Sequence, residues 1–561
     1  MILKSTRNGK ISGIRSAGIL MALLITVPVL SQKNELKLLT AEFDQLLSEQ
    51  FRPGEPGCAA IVARKGQIIY HKAFGMANLE LDVPMKPDMV FRIGSITKQF
   101  TAVAILQLME QGKLKLDDEI TRFIPDYPTH GHKITIEHLL THTSGIKSYT
   151  SLPEYLTFSR QDLKPEEIID IFKNKPMDFA PGTRWSYCNS GYFLLGYIIE
   201  KVSGKTYREY IEENFFKPLN MTSTCYGDDS KIIKNRASGY QPSGDKTVNS
   251  DFVSMLIPYS AGAIQSTVGD LFKWNQALHS YKVISKESLE KAHTEYKFPG
   301  GEGAGYGYGW FISQLQGSRS IEHGGGINGF LTHSVYLPDE DVFVAVFSNT
   351  TGKSPEMVTL KMAASAIGKP WKPSEIQLDE KILDEFTGVY ENEEGTQAVV
   401  SRTDKQLSLT RPGGSAREIN PYEKDKFYIK DTFITIEFVR GSDGKVSKAV
   451  LNDRGNVSEW KRTDKKPVTR KEIQLSETIL SQYVGEYQLG PGFTLVVTRD
   501  GNRLFAQATG QEKVEIFPES ETKFFLKVVD AQLEFVRDAS GNVSKAILYQ
   551  GGQKFEAVRI K

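Results

Sequence analysis

Cysteine is scarce. The 561 residues hold three, Cys58, Cys188 and Cys225, which excludes a disulfide framework and allows at most one pair in an oxidising compartment. Neither sign of charge is in excess: 69 Lys and Arg against 68 Asp and Glu leave a formal +1. That removes the electrostatic signature of a nucleic-acid partner and of an acidic solvating tail. Long apolar runs are missing too, with one exception. Lys4, Arg7, Lys10 and Arg15 precede an apolar stretch from Ala17 to Leu30, shorter than a standard spanning helix and followed by the small Ser31. This predicts a secretory signal over residues 1–31, with an uncleaved anchor as the alternative. No Cys follows it, so lipid attachment there is not expected. The chain is expected to be periplasmic or secreted, without stable membrane insertion once the signal is removed. Two catalytic signatures are absent as well. There is no G-x-S-x-G, which argues against an α/β-hydrolase. There is no H-E-x-x-H. His138 and His142 stand four apart near His130 and His132, yet the further ligands of a metal site are lacking, and none is expected.

The length is too great for one core. Residues 36–368 alternate helical and strand-like segments, with strands at both ends and helices between. Ala59–Ala63 and Ile68–Ala73 flank Arg64-Lys65-Gly66-Gln67, a hairpin signal. Val335–Leu337 and Val342–Phe347 flank a second turn. Helices are expected over Thr40–Gln50, from Ile96 to a stop at Gly112, and over Ile136–Thr141, Pro165–Phe172, Tyr192–Val202, Tyr207–Phe215 and Val268–Leu278. One mixed α/β (α+β) domain follows, its sheet mainly antiparallel and formed by the first and last segments.

After Pro370-Trp371-Lys372-Pro373 the texture becomes all-β. Glu375-Ile376-Gln377-Leu378 recurs as Glu472-Ile473-Gln474-Leu475. Phe386-Thr387-Gly388-Val389-Tyr390 recurs as Tyr483-Val484-Gly485-Glu486-Tyr487, and Glu437-Phe438-Val439-Arg440 as Glu534-Phe535-Val536-Arg537. Every offset is 97 residues (472−375, 483−386, 534−437), the mark of a duplication. Residues 374–464 and 471–561 are each the size of a small antiparallel barrel or sandwich, joined near Asp464-Lys465-Lys466-Pro467.

Three motifs carry chemistry. Ser95-Ile96-Thr97-Lys98 opens a helix, so the hydroxyl and the amine share one face of its first turn. An amine whose pKa is lowered by burial can take the hydroxyl proton, and free backbone N–H groups there can hold an oxyanion. Tyr187-Cys188-Asn189 precedes another helix. Its phenol can relay a proton if cations lower its pKa, and its amide can orient the lysine. Glu322-His323-Gly324-Gly325-Gly326 sits between two expected strands, where glycines allow a substrate backbone to lie close. The Gly326 amide is the expected second oxyanion donor. Gly324-x-Gly326-x-x-Gly329 fits a dinucleotide pattern, but strand and not helix is expected to follow. Gly303–Gly309 reads as a flexible rim.

Ser95-x-x-Lys98, Tyr187-x-Asn189 and His323-x-Gly325, in that order and at wide spacing, resemble the serine β-lactamase and penicillin-binding family. Phe91-Arg92-Ile93-Gly94, His138–Gly145 and Pro181-Gly182 agree with it. Tyr in the second motif resembles class C β-lactamases, D-alanyl-D-alanine carboxypeptidases and related esterases. His323 in place of lysine is similar to the D-aminopeptidases of the family, which also carry two C-terminal eight-stranded, lipocalin-like barrels. The resemblance implies a hydrolase acting on amides or esters of small peptide-like substrates, through an acyl-enzyme on Ser95 and with no cofactor. It implies Ser95, Lys98, Tyr187 and Asn189 as catalytic, and the Ser95 amide, His323, Gly324, Gly325 and Gly326 as oxyanion and substrate contacts. A true β-lactamase or D-Ala-D-Ala carboxypeptidase stays open, as does a non-catalytic penicillin-binding sensor on the same fold. The oligomeric state is open, and the repeats, lacking any nucleophile–base set, are expected to be structural or substrate-shaping.

Overall fold

A computed structural model describes residues 34–411, 414–465, 472–490, 493–509, 513–527, 531–550 and 553–561. The expected signal lies outside them, as do Lys466 and Pro467 of the expected linker. Among the described residues, no helix is long and apolar enough to cross a membrane.

Val342–Ser348 is the centre of the first domain. Its sequence, VFVAVFS, is apolar on both faces, and all seven residues are buried. It pairs on one side with Cys58–Arg64 and on the other with Phe330–Leu337. Six strands run antiparallel in the order Phe311–Leu315, Ser318–Ile327, Phe330–Leu337, Val342–Ser348, Cys58–Arg64, Gln67–Phe74. The first and last segments of the domain do form this sheet. Lys65 and Gly66 turn the first hairpin with positive φ, 51° and 72°, as a tight hairpin turn requires.

Two layers cover the sheet. One face takes the helix spanning 34–50 and the helix Glu356–Ala366, whose Phe43, Leu47 and Met362 share one buried apolar cluster with Val344 and Val346. The first helix begins earlier than its expected start at Thr40. The other face takes the main helical body, including Thr97–Glu110, Asn189–Ser203 and Val268–His279. Thr97–Glu110 is buried all round from Thr97 to Leu106, the mark of a helix enclosed by protein and not one lying on the surface. Phe100 stacks on Trp274 with ring centroids 4.2 Å apart. Tyr207–Ile211 continues as one π turn, Glu212–Phe216.

The repeats are two closed antiparallel barrels of eight strands each, from Gly388 to Thr463 and from Gly485 to Arg559. Their alternating residues fill separate cores around Phe438 and Phe535. Closure removes the open edges that a sandwich would leave.

Candidate active site

Ser95 lies in a single 3₁₀ turn, Gly94–Ile96, directly before the helix Thr97–Glu110. The sequence places it at the helix start, where serine ordinarily caps. Here no side chain caps either segment, so the hydroxyl is free for another use. Lys98, fully buried, directs its Nζ at three oxygens: Ser95 Oγ at 3.0 Å, Asn189 Oδ1 at 2.8 Å and the Ala261 carbonyl at 2.9 Å. The amide and carbonyl oxygens can only accept, so they take two N–H bonds. The third direction of the nitrogen points at Ser95 Oγ. Burial drives the Lys98 pKa well below the ordinary lysine value. In the neutral amine that third direction is the lone pair, and the Ser95 hydroxyl donates into it.

Each acceptor is held in turn. Asn189 Nδ2 donates to Thr150 Oγ1 at 3.0 Å and its backbone N–H to Ser148 Oγ at 3.2 Å, which fixes the oxygen toward Lys98. Ala261 lies two residues after Tyr259, whose φ of +42° is strained for an aromatic residue. Ser260 Oγ donates to the Tyr192 carbonyl at 2.8 Å, and Thr101 Oγ1 donates to the Ser260 carbonyl at 2.6 Å. The strained turn is thereby wedged between the two helices that carry Lys98 and Asn189.

Tyr187 presents its ring to Lys98 Nζ, 4.7 Å from the centroid. The sequence makes its role as a relay depend on cations lowering its pKa. The structure corrects this: burial raises the phenol pKa, and the Ser95 hydroxyl is the group that opposes the rise. Burial disfavours the phenolate, so Tyr187 holds its proton.

His323 differs from the substrate contact that the resemblance implies. Its Nδ1 lies 2.5 Å from the Gly324 carbonyl, which can only accept, so Nδ1 carries the proton. Nε2, 2.9 Å from Tyr306 Oη, therefore accepts from that hydroxyl. Both nitrogens are engaged within the protein, and neither is left for a substrate. Burial, reinforced by Lys98, lowers the His323 pKa to about 3, so the ring is neutral at ordinary pH.

The glycines divide in purpose. A Cβ on Gly325 would come 2.0 Å from the Ile93 carbonyl, and one on Gly94, at φ +51°, 2.9 Å from the Gly326 amide. These two glycines let the strand lie directly against the Ser95 turn. Thr332 Oγ1 ties the same point, donating to the Ile93 carbonyl at 3.0 Å. Gly324 and Gly326 meet only ordinary contacts. The neighbouring strand pairs no further than Glu322, so the outer edge of residues 323–327 has no ladder and can accept a substrate backbone. Gly303–Gly309 is not a loose rim. Tyr306 is fully buried, Tyr308 Oη donates to Glu137 Oε1 at 2.5 Å, and Gly309 approaches the Lys98 carbonyl too closely for a Cβ.

The three motifs thus converge. The two histidines weighed for metal are used otherwise: His138 Nδ1 accepts from the Thr135 amide, and His142 Nδ1 from the Cys188 amide. Cys188 packs in the core, its thiol 3.1 Å from the Ile146 carbonyl. Sequence reasoning missed Ala261, Thr150 and Tyr306. Ala261 contributes only backbone, and the other two are common residue types with no spacing signal.

A Beta-lactamase family model matches residues 41–369, more than half of the chain, and a domain of unknown function (DUF3471) matches twice, at 372–465 and 469–559. Penicillin-binding protein 4* of Bacillus subtilis (strain 168) is 30% identical over 427 residues, 72% of this chain and 94% of that protein. The octameric penicillin-binding protein homologue from Pyrococcus abyssi superposes with a TM-score of 0.54 at 29% identity, covering 76% of this chain and 99% of that one. A D-stereospecific amidohydrolase from Streptomyces sp. gives 0.51 at 27% identity, over 58% and 98%. With a family model spanning the whole domain that holds the Ser95–Lys98 pair, this chain belongs to the serine β-lactamase and penicillin-binding protein family.

Proposed function

We propose that this member of a hydrolase family is a serine hydrolase that opens amide or ester bonds of small peptide-like substrates through an acyl-enzyme on Ser95. The observation that supports it is the Lys98 amine, buried, lowered in pKa and held by two obligate acceptors with its third direction on Ser95 Oγ. The neutral amine takes the Ser95 proton as Oγ bonds to the substrate carbonyl carbon. The Ser95 amide and the exposed Gly326 amide hold the oxyanion. When the tetrahedral species collapses, the C–N or C–O bond breaks. The proton on Lys98 passes through the protonated Tyr187 phenol to the leaving nitrogen or oxygen. Water then attacks the acyl ester and gives its proton to the same base, which returns it to Ser95 Oγ as the ester C–O bond breaks. No cofactor enters any step.

His323 bears on the choice of substrate. A neutral ring with both nitrogens engaged is no fixed cation for a carboxylate. This favours amides and esters, including D-aminoacyl amides as the amidohydrolase neighbour implies, over β-lactams and free C-terminal carboxylates. The basic and apolar residues within 1–31 support export to the periplasm or beyond. The test is a panel on wild type and Ser95→Ala: D- and L-aminoacyl p-nitroanilides, short acyl esters, D-Ala-D-Ala peptides and a chromogenic cephalosporin. Turnover of amide or ester that disappears in Ser95→Ala is expected. Undiminished turnover in Ser95→Ala overturns the nucleophile, a cephalosporin preference overturns the substrate argument, and an acyl label that never leaves Ser95 makes the protein a sensor.

A further inference from the structure

The back of the active-site strand holds a buried ion pair that the proposed reaction does not use. Glu322, next to His323 but on the opposite face, is 8% exposed, and Arg454 of the first barrel is 11% exposed. The guanidinium grips the carboxylate with both arms, Nη1 to Oε1 at 2.7 Å and Nη2 to Oε2 at 2.8 Å, and Nη2 also donates to Ser320 Oγ at 3.0 Å. Nε donates to the Gln314 carbonyl at 3.1 Å. The Arg454 carbonyl accepts from the Gln314 amide at 2.9 Å and from Ser313 Oγ at 3.0 Å. One barrel residue therefore clasps both Phe311–Leu315 and Ser318–Ile327, immediately before the point where the first of these ends and Gly324–Ile327 continues with a free edge.

Arg454 occupies the tip of the hairpin joining Val446–Asp453 to Asn456–Thr463, at φ +52° with Gly455 at +96°, a two-residue turn of the same kind as Lys65-Gly66. The duplication sets it apart. At the offset of 97, the barrel-core residues Tyr390, Phe427 and Phe438 recur as Tyr487, Phe524 and Phe535, whereas Arg454 becomes Gly551. Phe433, buried in the back core of the first domain, becomes Asp530. The copies keep what closes a barrel and differ at what docks one of them on the catalytic sheet.

We propose that the first barrel is part of the working site: Arg454 is a positioning residue that, through Glu322, holds the strand carrying His323 and the Gly324–Gly326 edge in register with Ser95. The proposal rests on the hydrolase reading above. A displacement of that strand by about 1 Å is enough to cost on the order of a hundredfold in rate. The experiment compares wild type, Arg454→Met, Arg454→Lys and the charge swap Glu322→Arg/Arg454→Glu in the full chain at 10 °C. It measures the second-order rate of fluorophosphonate labelling of Ser95, the thermal midpoint, and amide hydrogen exchange over residues 321–331. Arg454→Met is expected to slow labelling at least tenfold and speed exchange in that segment while the protein stays folded. Arg454→Lys, and in part the swap, recover both. Labelling within twofold of wild type, or unchanged exchange, overturns the clamp even if the midpoint falls. If wild-type Ser95 resists the label altogether, the hydrolase reading fails instead, and the exchange measurement alone decides whether Arg454 holds the strand.

Discussion

Asn189→Asp is the sharpest perturbation the site offers. It exchanges one NH₂ for an oxygen and keeps the side-chain shape. The new carboxylate stands 2.8 Å from Lys98 Nζ. At an effective dielectric of about 20, two unit charges at that separation attract by about 6 kcal/mol. Burying the carboxylate offsets part of this, and opposite charges so placed move a pKa by about 1–3 pH units, or about 1.4–4 kcal/mol. The Thr150 hydroxyl, now accepting from Asn189 Nδ2, can rotate and donate to the carboxylate, so the geometry survives. The sign is fixed: the charge favours protonated Lys98, which has no lone pair for the Ser95 proton. On the acid side of its pH–rate profile the variant is therefore slower by about tenfold to a thousandfold, and it regains rate as the pH is raised. The assay is the pH dependence of labelling or of ester turnover from pH 5 to 10. A profile whose acid limb stays in place, or a loss of rate that high pH does not restore, would refute Lys98 as the base.

Other predictions follow from packing and burial. Gly325→Ala places a Cβ 2.0 Å from the Ile93 carbonyl and should push the strand off the Ser95 turn, cutting kcat/KM by about a hundredfold or more; near-normal activity would show that the apposition is not required. His323, with its pKa at about 3, and His142 and His293, held well below the ordinary value by burial, refuse a proton that the unfolded chain accepts near pH 6.5. Stability from these rings is complete above about pH 6.5 and is lost as the pH falls toward 3, by up to about 1.4 kcal/mol per pH unit for each ring. A catalytic-domain Tm that stays level from pH 7 to pH 4.5 would contradict this. Phe100→Ala empties a fully buried site against Trp274 and should destabilise the domain by about 3–5 kcal/mol, read by denaturant unfolding. A loss below 1 kcal/mol would mean the helix is not locked there.

The legible parts of this chain were those in which one residue type carries one task. The S-x-x-K, Y-x-N and H-x-G motifs marked Ser95, Lys98, Tyr187, Asn189 and His323, which the fold brings into contact, and the 97-residue offset marked the two barrels. The apolar run at Val342–Phe347 announced a strand, though not its central place in the sheet. What stayed hidden depends on tertiary burial or on backbone. The Ala261 carbonyl has no side-chain signature. The directions of the Tyr187 and His323 pKa values follow from enclosure by Lys98, His142 and Tyr306, residues distant in sequence. Gly303–Gly309 looked like a flexible rim because glycine serves mobility and close approach equally well, and only the contact with the Lys98 carbonyl separates the two. The Arg454–Glu322 pair joins residues 132 apart, and neither belongs to a recognisable motif.

The chemical fate of Ser95 decides most directly whether it is the nucleophile. Rapid-quench mixing of the protein with a slowly hydrolysed acyl ester, followed by intact-mass and peptide-mapping spectrometry, observes it. The predicted result is one acyl mass added per chain, mapped to Ser95, absent in Ser95→Ala and formed faster as Lys98 loses its proton with rising pH. Turnover without any adduct on Ser95, or an adduct on another residue that persists in Ser95→Ala, would contradict it.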